Sequence, residues 1–210
     1  MDNFAVKLLS KDFVERQWAY KEILEKFPSR SSLYQIALVA QGNTKALELL
    51  IPRALKNRKI FRILIFTLEH SISPKLEKQI KVFARYSPRI ALRFLKPLIS
   101  GKTRTRQFAF NTLLLCSPVP PVIAFFIQLL EDEDSFIRTW SAIYLLYHSC
   151  FHPKILSLPE REFLEAFYYC PNSLNFIPLE IFVQLSPEVR NRLARIAVEK
   201  GISPRWLIGT

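Results

Sequence analysis

Shifting the chain by 32 positions, the offset from Pro88 to Pro120, pairs Ile90 with Val122, Phe94 with Phe126, Leu95 with Ile127, Leu98 with Leu130, Arg106 with Arg138, Leu113 with Leu145 and Leu114 with Leu146, without a gap. A match that keeps both register and chemistry marks a repeated supersecondary unit. Such a unit cannot bury its apolar face alone, so copies stack around one continuous core. Within the copies, 88–116 and 120–149, apolar residues recur at spacings of three and four: Leu113, Leu114, Ile123, Phe126, Ile127 and Leu130, then Phe136, Ile137, Ile143 and Leu146. No run alternates in the manner of a half-buried strand, so each copy reads as two helices. The expected fold is all-α: a right-handed α-solenoid of stacked antiparallel helix pairs, one domain over 1–210.

The same periodicity predicts helices near 12–26, 30–41, 44–55, 58–70, 74–86, 88–99, 103–116, 119–131 and 134–149, with shorter ones near 159–169, 172–184, 187–200 and 204–208. Glycine is nearly absent, and the punctuation falls to Ser-Pro at 73/74, 87/88, 117/118, 186/187 and 203/204. Ser offers an oxygen to the free amides of a first turn, and Pro after it gives up an amide that is unpaired there anyway. Each pair is expected to open a helix rather than to serve as a phosphorylation site, because it stands beside an apolar periodic segment.

Composition sets the class. With 210 residues, 50% hydrophobic and 13% aromatic, the chain has the apolar material for a packed core. Cys116, Cys150 and Cys170 form no CxxC pair, which fits buried thiols in a reducing compartment. The opening residues MDNFAVKLLSKDF are broken by charges and contain no signal-peptide core. A cytoplasmic protein is expected. Gln107 to Leu130 carries no charge and is as long as a membrane span requires. Ser117, Pro118, Pro120 and Pro121 interrupt its middle, so the expectation is two short buried helices and no integral membrane insertion.

The segment from Pro121 through Glu131-Asp-Glu-Asp-Ser-Phe-Ile-Arg138, continuing to Trp140, Ala142 and Leu145, resembles a HEAT repeat. In that family an apolar first helix is followed by an acidic turn, then by an apolar residue and Arg early in the second helix. Phe61-Arg62, Thr105-Arg106 and Val189-Arg190 mark candidate second helices on the same pattern. The copy at 88–116 departs from it, with Ser100-Gly101-Lys102 in place of the acidic turn. The clear resemblance covers 88–149. It implies a binding scaffold, although fold alone assigns no function.

Between Arg53 and Arg106 stand fifteen Lys or Arg residues and two acids, Glu69 and Glu77; the rest of the chain holds fifteen bases against sixteen acids. The whole formal charge of +12 therefore arises in this segment. Lys75, Lys78, Lys81, Arg85, Arg89, Arg93 and Lys96 are spaced by three or four, the interval that keeps side chains on one helical face. Ser87-Pro88 is expected to fold this stripe at a corner. Arg53, Lys56, Arg58, Lys59 and Arg62 flank it on one side, and Lys102, Arg104 and Arg106 on the other. Arg106 is assigned to the repeat scaffold. A solvated face usually mixes signs, since like charges at helical spacing repel, so an anionic partner is the favoured reading. Nucleic acid, DNA or RNA, is the commonest polyanion. An acidic protein or an anionic membrane surface satisfies the same charge. Few aromatics interleave the stripe, which favours phosphate contact over base stacking.

Catalysis has little to stand on: no triad motif, no glycine-rich phosphate loop and no expected cofactor. His148 and His152 have metal-ligand spacing, but Cys150 between them points about 200° away on a helix, and ordinary histidines at a helix end are expected. The chain also resembles, in being small, basic and helical, the HEAT-like alkyl-purine DNA glycosylases, which hold a damaged nucleotide with tryptophans and an acid. Trp18, Trp140 and Trp206 are the counterparts that resemblance implies, with Glu22 the one acid a turn after a Trp. The leading expectation is a non-enzymatic module that binds nucleic-acid backbone through 53–104. A protein-interaction scaffold using a concave helix face is the second.

Overall fold

The computed structural model describes residues 2–71, 74–101 and 103–208; side chains at positions 2, 3, 5, 71, 75, 76, 103, 104, 207 and 208 also lie outside the description. Every regular element among the described residues is helical. The chain forms two compact units, Met1–Ser117 and Pro118–Thr210. The first holds α1 (Asp2–Leu8), α2 (Phe13–Lys26), α3 (Ser32–Ala40), α4 (Thr44–Ala54), α5 (Arg58–Ser71), α6 (Pro74–Tyr86), α7 (Pro88–Ile99) and α8 (Thr103–Leu113). The second holds α9 (Pro120–Leu129), α10 (Ser135–Tyr147), α11 (Glu160–Tyr169), α12 (Leu179–Phe182), α13 (Pro187–Glu199) and α14 (Arg205–Ile208), with 3-10 turns at Pro153–Ser157 and Pro171–Phe176.

Short connections fold successive helices back on one another. In the first unit α2 packs on α3, α3 on α4, α6 on α7 and α7 on α8, with next-but-one contacts from α3 to α5, α4 to α6 and α6 to α8. Its core is built from residues such as Ile36, Leu50, Leu64, Ile80, Phe94 and Phe110, all fully enclosed. In the second unit α9 packs on α10, α10 on α11 and α11 on α13. Phe126, Leu145, Ile155, Phe167 and Leu193 fill that core. Trp206 closes its far end, stacked on Phe182 at 4.0 Å with its indole N–H donated to the Leu174 carbonyl at 3.0 Å.

The 32-residue register holds in the elements. α7 and α9 begin at Pro88 and Pro120, and α8 and α10 begin at Thr103 and Ser135. Phe94 with Phe126, Leu98 with Leu130 and Leu113 with Leu145 are buried in both copies. Ile90 and Val122 differ: the first is 39% exposed and the second enclosed.

A second regularity links three helix starts. Asp12, Ser31 and Asp134 occupy the N-caps of α2, α3 and α10, each accepting from first-turn amides. In all three the fourth helical residue reaches back six positions: Arg16 Nη1 to Ser10 O at 2.7 Å, Gln35 Nε2 to Ser29 O at 2.6 Å and Arg138 Nη1 to Asp132 O at 2.7 Å. A long donor at this position satisfies a carbonyl of the incoming turn while the cap satisfies amides of the outgoing helix. Arg138 does more. It also takes the Glu133 carbonyl at 2.8 Å and grips the Glu162 carboxylate with Nε at 2.8 Å and Nη2, tying α10 to α11.

Prolines account for two departures from the expected elements. The residue before a proline is driven to extended backbone. Val119 is extended (φ −87°, ψ 152°) ahead of Pro120, so the Ser117-Pro118 pair opens no helix and α9 starts two residues later. Ile177 is likewise extended ahead of Pro178, which divides the helix expected at 172–184 into the 3-10 turn and α12. Ser186 caps α13 through Oγ, accepting from Val189 N at 3.2 Å. Ser87 stands at the N-cap of α7 with no side-chain bond. α14 starts at Arg205, just past Ser203-Pro204, and Ser73 lies outside the described residues. α1 and the turn at Pro153–Ser157 were not expected.

Candidate functional site

Helices α6 and α7 present the basic stripe. Ser87 breaks the helix between them (φ −134°, ψ 59°), so the stripe turns a corner as the capping dipeptide implies. On α6 the inner face is Ile80 and Ala84, and the outer residues include Lys78 and Arg85. On α7 the inner face is Ala91, Leu92, Phe94, Leu95, Leu98 and Ile99, while Arg89, Arg93 and Lys96 are exposed. The two registers arise from the same physics: apolar positions at helical spacing are buried, and the cations between them are left facing water.

Arg53 and Lys56 end α4 and its following turn, and Arg58 and Lys59 open α5, all exposed. Asn57 fixes that corner by accepting from the amides of Lys59 at 3.0 Å and Ile60 at 3.2 Å. These four form a second cationic group. Lys75, Lys102 and Arg104, also expected in the face, have side chains outside the described residues.

The cations are not equivalent. Lys81 is half-buried and paired with Glu77 at 2.6 Å one turn back. Arg53 donates to the Arg30 carbonyl at 3.0 Å, which braces the chain between α2 and α3. Among the described residues Lys56, Arg58, Lys78, Arg85, Arg89 and Arg93 make no ion pair. Glu48, the nearest acid on α4, is hydrogen-bonded to Gln79 rather than to a base. One aromatic does stand in the stripe: Tyr86, at the corner between Arg85 and Arg89, is 84% exposed. Sequence reading missed this exposure: Tyr86 lies at the end of α6, two residues past the buried Ala84.

The catalytic candidates stand in different local settings. Trp206 is enclosed in its core. Trp140 is half-buried, stacked on Tyr169 at 5.8 Å and beside Phe136 at 5.9 Å. Trp18 is 68% exposed on α2, and Glu22 one turn on is committed to Lys26 at 2.7 Å, which holds its carboxyl below the usual carboxylate range. α10 ends at Tyr147, so His148 and His152 share no helix; His152 Nδ1 instead accepts from Lys154 N at 3.2 Å. Among the described residues no three His, Cys, Asp or Glu side chains converge to hold a metal. Burial pushes the Cys116 thiol up to about 12 and the Cys170 thiol to about 11, so at neutral pH both are protonated and poor nucleophiles. Among the described residues no helix is long and apolar enough to cross a membrane; Gln107 to Leu130 is divided between α8 and α9.

The second unit carries a feature that sequence reading missed. Phe136, Trp140, Tyr169 and Tyr168 form a continuous partly exposed aromatic row, with Lys200 Nζ 3.8 Å from the Tyr168 ring centroid. Phe136 and Trp140 sit one turn apart on the outer side of α10, a visible spacing whose solvent side only the packing identifies. No protein-family model, curated protein or solved structure matches this chain.

Proposed function

We propose that this chain is a non-enzymatic binding module, a HEAT-like right-handed α-solenoid whose basic helical face engages an anionic partner, nucleic-acid backbone first. One observation carries the reading: six exposed cations, Lys56, Arg58, Lys78, Arg85, Arg89 and Arg93, have no acidic partner among the described residues. Unneutralised like charge on a folded surface raises a potential that recruits polyanions, and contacts with phosphates release their counterions. The helix pairs offset by 32 residues support the solenoid, which supplies an extended surface for a backbone to follow. Tyr86 beside Arg85 adds a ring on which an unpaired base can stack.

Fluorescence titration with mixed-sequence duplex DNA, single-stranded DNA and RNA tests this. Changing Lys78, Arg85, Arg89 and Arg93 together to Glu abolishes binding while circular dichroism stays helical, since exposed charges contribute little to the core. Gln at the same positions gives a graded loss. Each lost phosphate contact on duplex flattens the slope of log K against log salt by roughly one. Tyr86→Ala weakens single strands, by about 1–3 kcal/mol for one stacked base, and leaves duplex binding unchanged. Unaltered affinity and slope in a folded quadruple variant sink the nucleic-acid reading. The weight then passes to a protein-interaction scaffold, a reading favoured by the aromatic row from Phe136 to Tyr168, because exposed aromatics are the side chains that anchor protein interfaces.

A further inference from the structure

The first unit contains a groove of about 790 Å³ between α1, α5 and the last turn of α7. Its apolar lining includes Val6, Leu9, Phe61, Ile65 and Pro97, and Lys59 also borders it. Phe61 is held edge-on against the enclosed Phe94, ring centroids 6.1 Å apart, which ties the floor to the core. Val6 is 70% exposed over it, an apolar side chain with little of its surface covered. Arg58 and Arg62, four residues apart on α5, also line the groove; both are exposed and neither has an ion pair among the described residues.

The two parts of the lining ask for two parts in a ligand. An apolar molecule satisfies the floor and leaves the arginines unused, and a polyanion satisfies the arginines and leaves the floor wet. We propose that this groove binds a single-chain anionic amphiphile, an acyl chain lying on Phe61 and Ile65 with its carboxylate or phosphate head held by Arg58 and Arg62. The size lies within the range of about 300–1,000 Å³ usual for small-ligand sites, and guanidinium groups match carboxylate and phosphate geometry. Arg58 also belongs to the cations proposed to meet nucleic acid, but none of the four residues changed in that test, Lys78, Arg85, Arg89 and Arg93, lines the groove.

Isothermal titration with decanoate, dodecanoate and tetradecanoate, each below its micellar concentration, tests the proposal on the full chain. The dissociation constant falls by roughly fourfold per methylene until the groove is full. Dodecanol binds about tenfold or more weakly than dodecanoate, because it lacks the charge-assisted bonds. Dodecyl phosphate follows dodecanoate. Arg58→Gln with Arg62→Gln brings dodecanoate down to the level of dodecanol, which itself is unchanged. Ile65→Trp places a bulky ring on the floor where the chain lies and weakens both. Dodecanoate binding survives in the Lys78, Arg85, Arg89, Arg93 to Glu variant, and nucleic-acid binding survives Ile65→Trp, so the two readings fail separately. Equal affinity for dodecanol and dodecanoate, binding only above the micellar concentration, or binding only to phosphatidylglycerol vesicles overturns it.

Discussion

Glu162 is 6% exposed and spends both carboxylate oxygens on Arg138. Removing the guanidinium leaves that carboxylate buried without a partner and also frees the carbonyls of Asp132 and Glu133. Arg138→Ala should therefore cost about 2–3 kcal/mol in denaturant unfolding, while Glu162→Gln, which keeps shape and one acceptor, costs less. Equal small losses below about 0.5 kcal/mol would show that the pair is merely superficial. His148 gives a pH-dependent counterpart. It caps the C-terminus of α10 between the rings of Tyr144 and Tyr147, and burial holds its imidazole below the ordinary value of 6.5. The unfolded chain therefore takes up this proton first as pH falls. The stability it contributes is complete above 6.5 and is lost on acidification through the window below that value. Between about pH 7.5 and pH 5 the urea midpoint should fall more for the parent than for His148→Asn; identical falls in the two proteins defeat the assignment.

At the scale of the helix, identical dipeptides have different jobs. Ser186→Ala removes the Oγ acceptor from Val189 N at the start of α13 and should cost about 1 kcal/mol. Ser87→Ala and Ser117→Ala should be nearly neutral, the first because its side chain makes no cap bond and the second because α9 begins at Pro120. A loss of similar size at all three positions would mean that proline context, not the hydroxyl, sets these starts. The residue four places into α2, α3 and α10 has the corresponding role on the other side of the cap. In α10 this is Arg138, whose guanidinium closes the turn that leads from α9 into α10.

For the whole molecule, each unit encloses its own large side chains, Phe94 and Phe110 in one and Phe126, Phe167 and Trp206 in the other. A chain that buries a core within its own boundaries holds what it needs to fold. A fragment over 118–210 should keep its helical circular dichroism and unfold in a single sigmoidal transition. A broad, non-cooperative melt of that fragment would place part of its stability elsewhere in the chain.

Helix identity, most helix limits, the 32-residue register and the segregation of charge were legible without the structure, because each is written in local spacing: a 3.6-residue period, a proline, a run of Lys and Arg. Lys81 was expected in the binding stripe, and its pairing with Glu77 one turn back was not read from the sequence although the spacing permits it. Partner choice across the chain was not legible. Nothing near Arg138 announces Glu162, 24 residues on, and nothing near Arg53 announces the Arg30 carbonyl. Tyr86 and the row from Phe136 to Tyr168 were legible as apolar residues but not as exposed ones. The groove over Phe61 required α1 and α7 to meet α5 from distant parts of the chain. Periodicity says which face of a helix is apolar. Only the tertiary packing, which has less neighbouring surface to offer than there are apolar side chains to cover, decides which of those faces stays open to a partner.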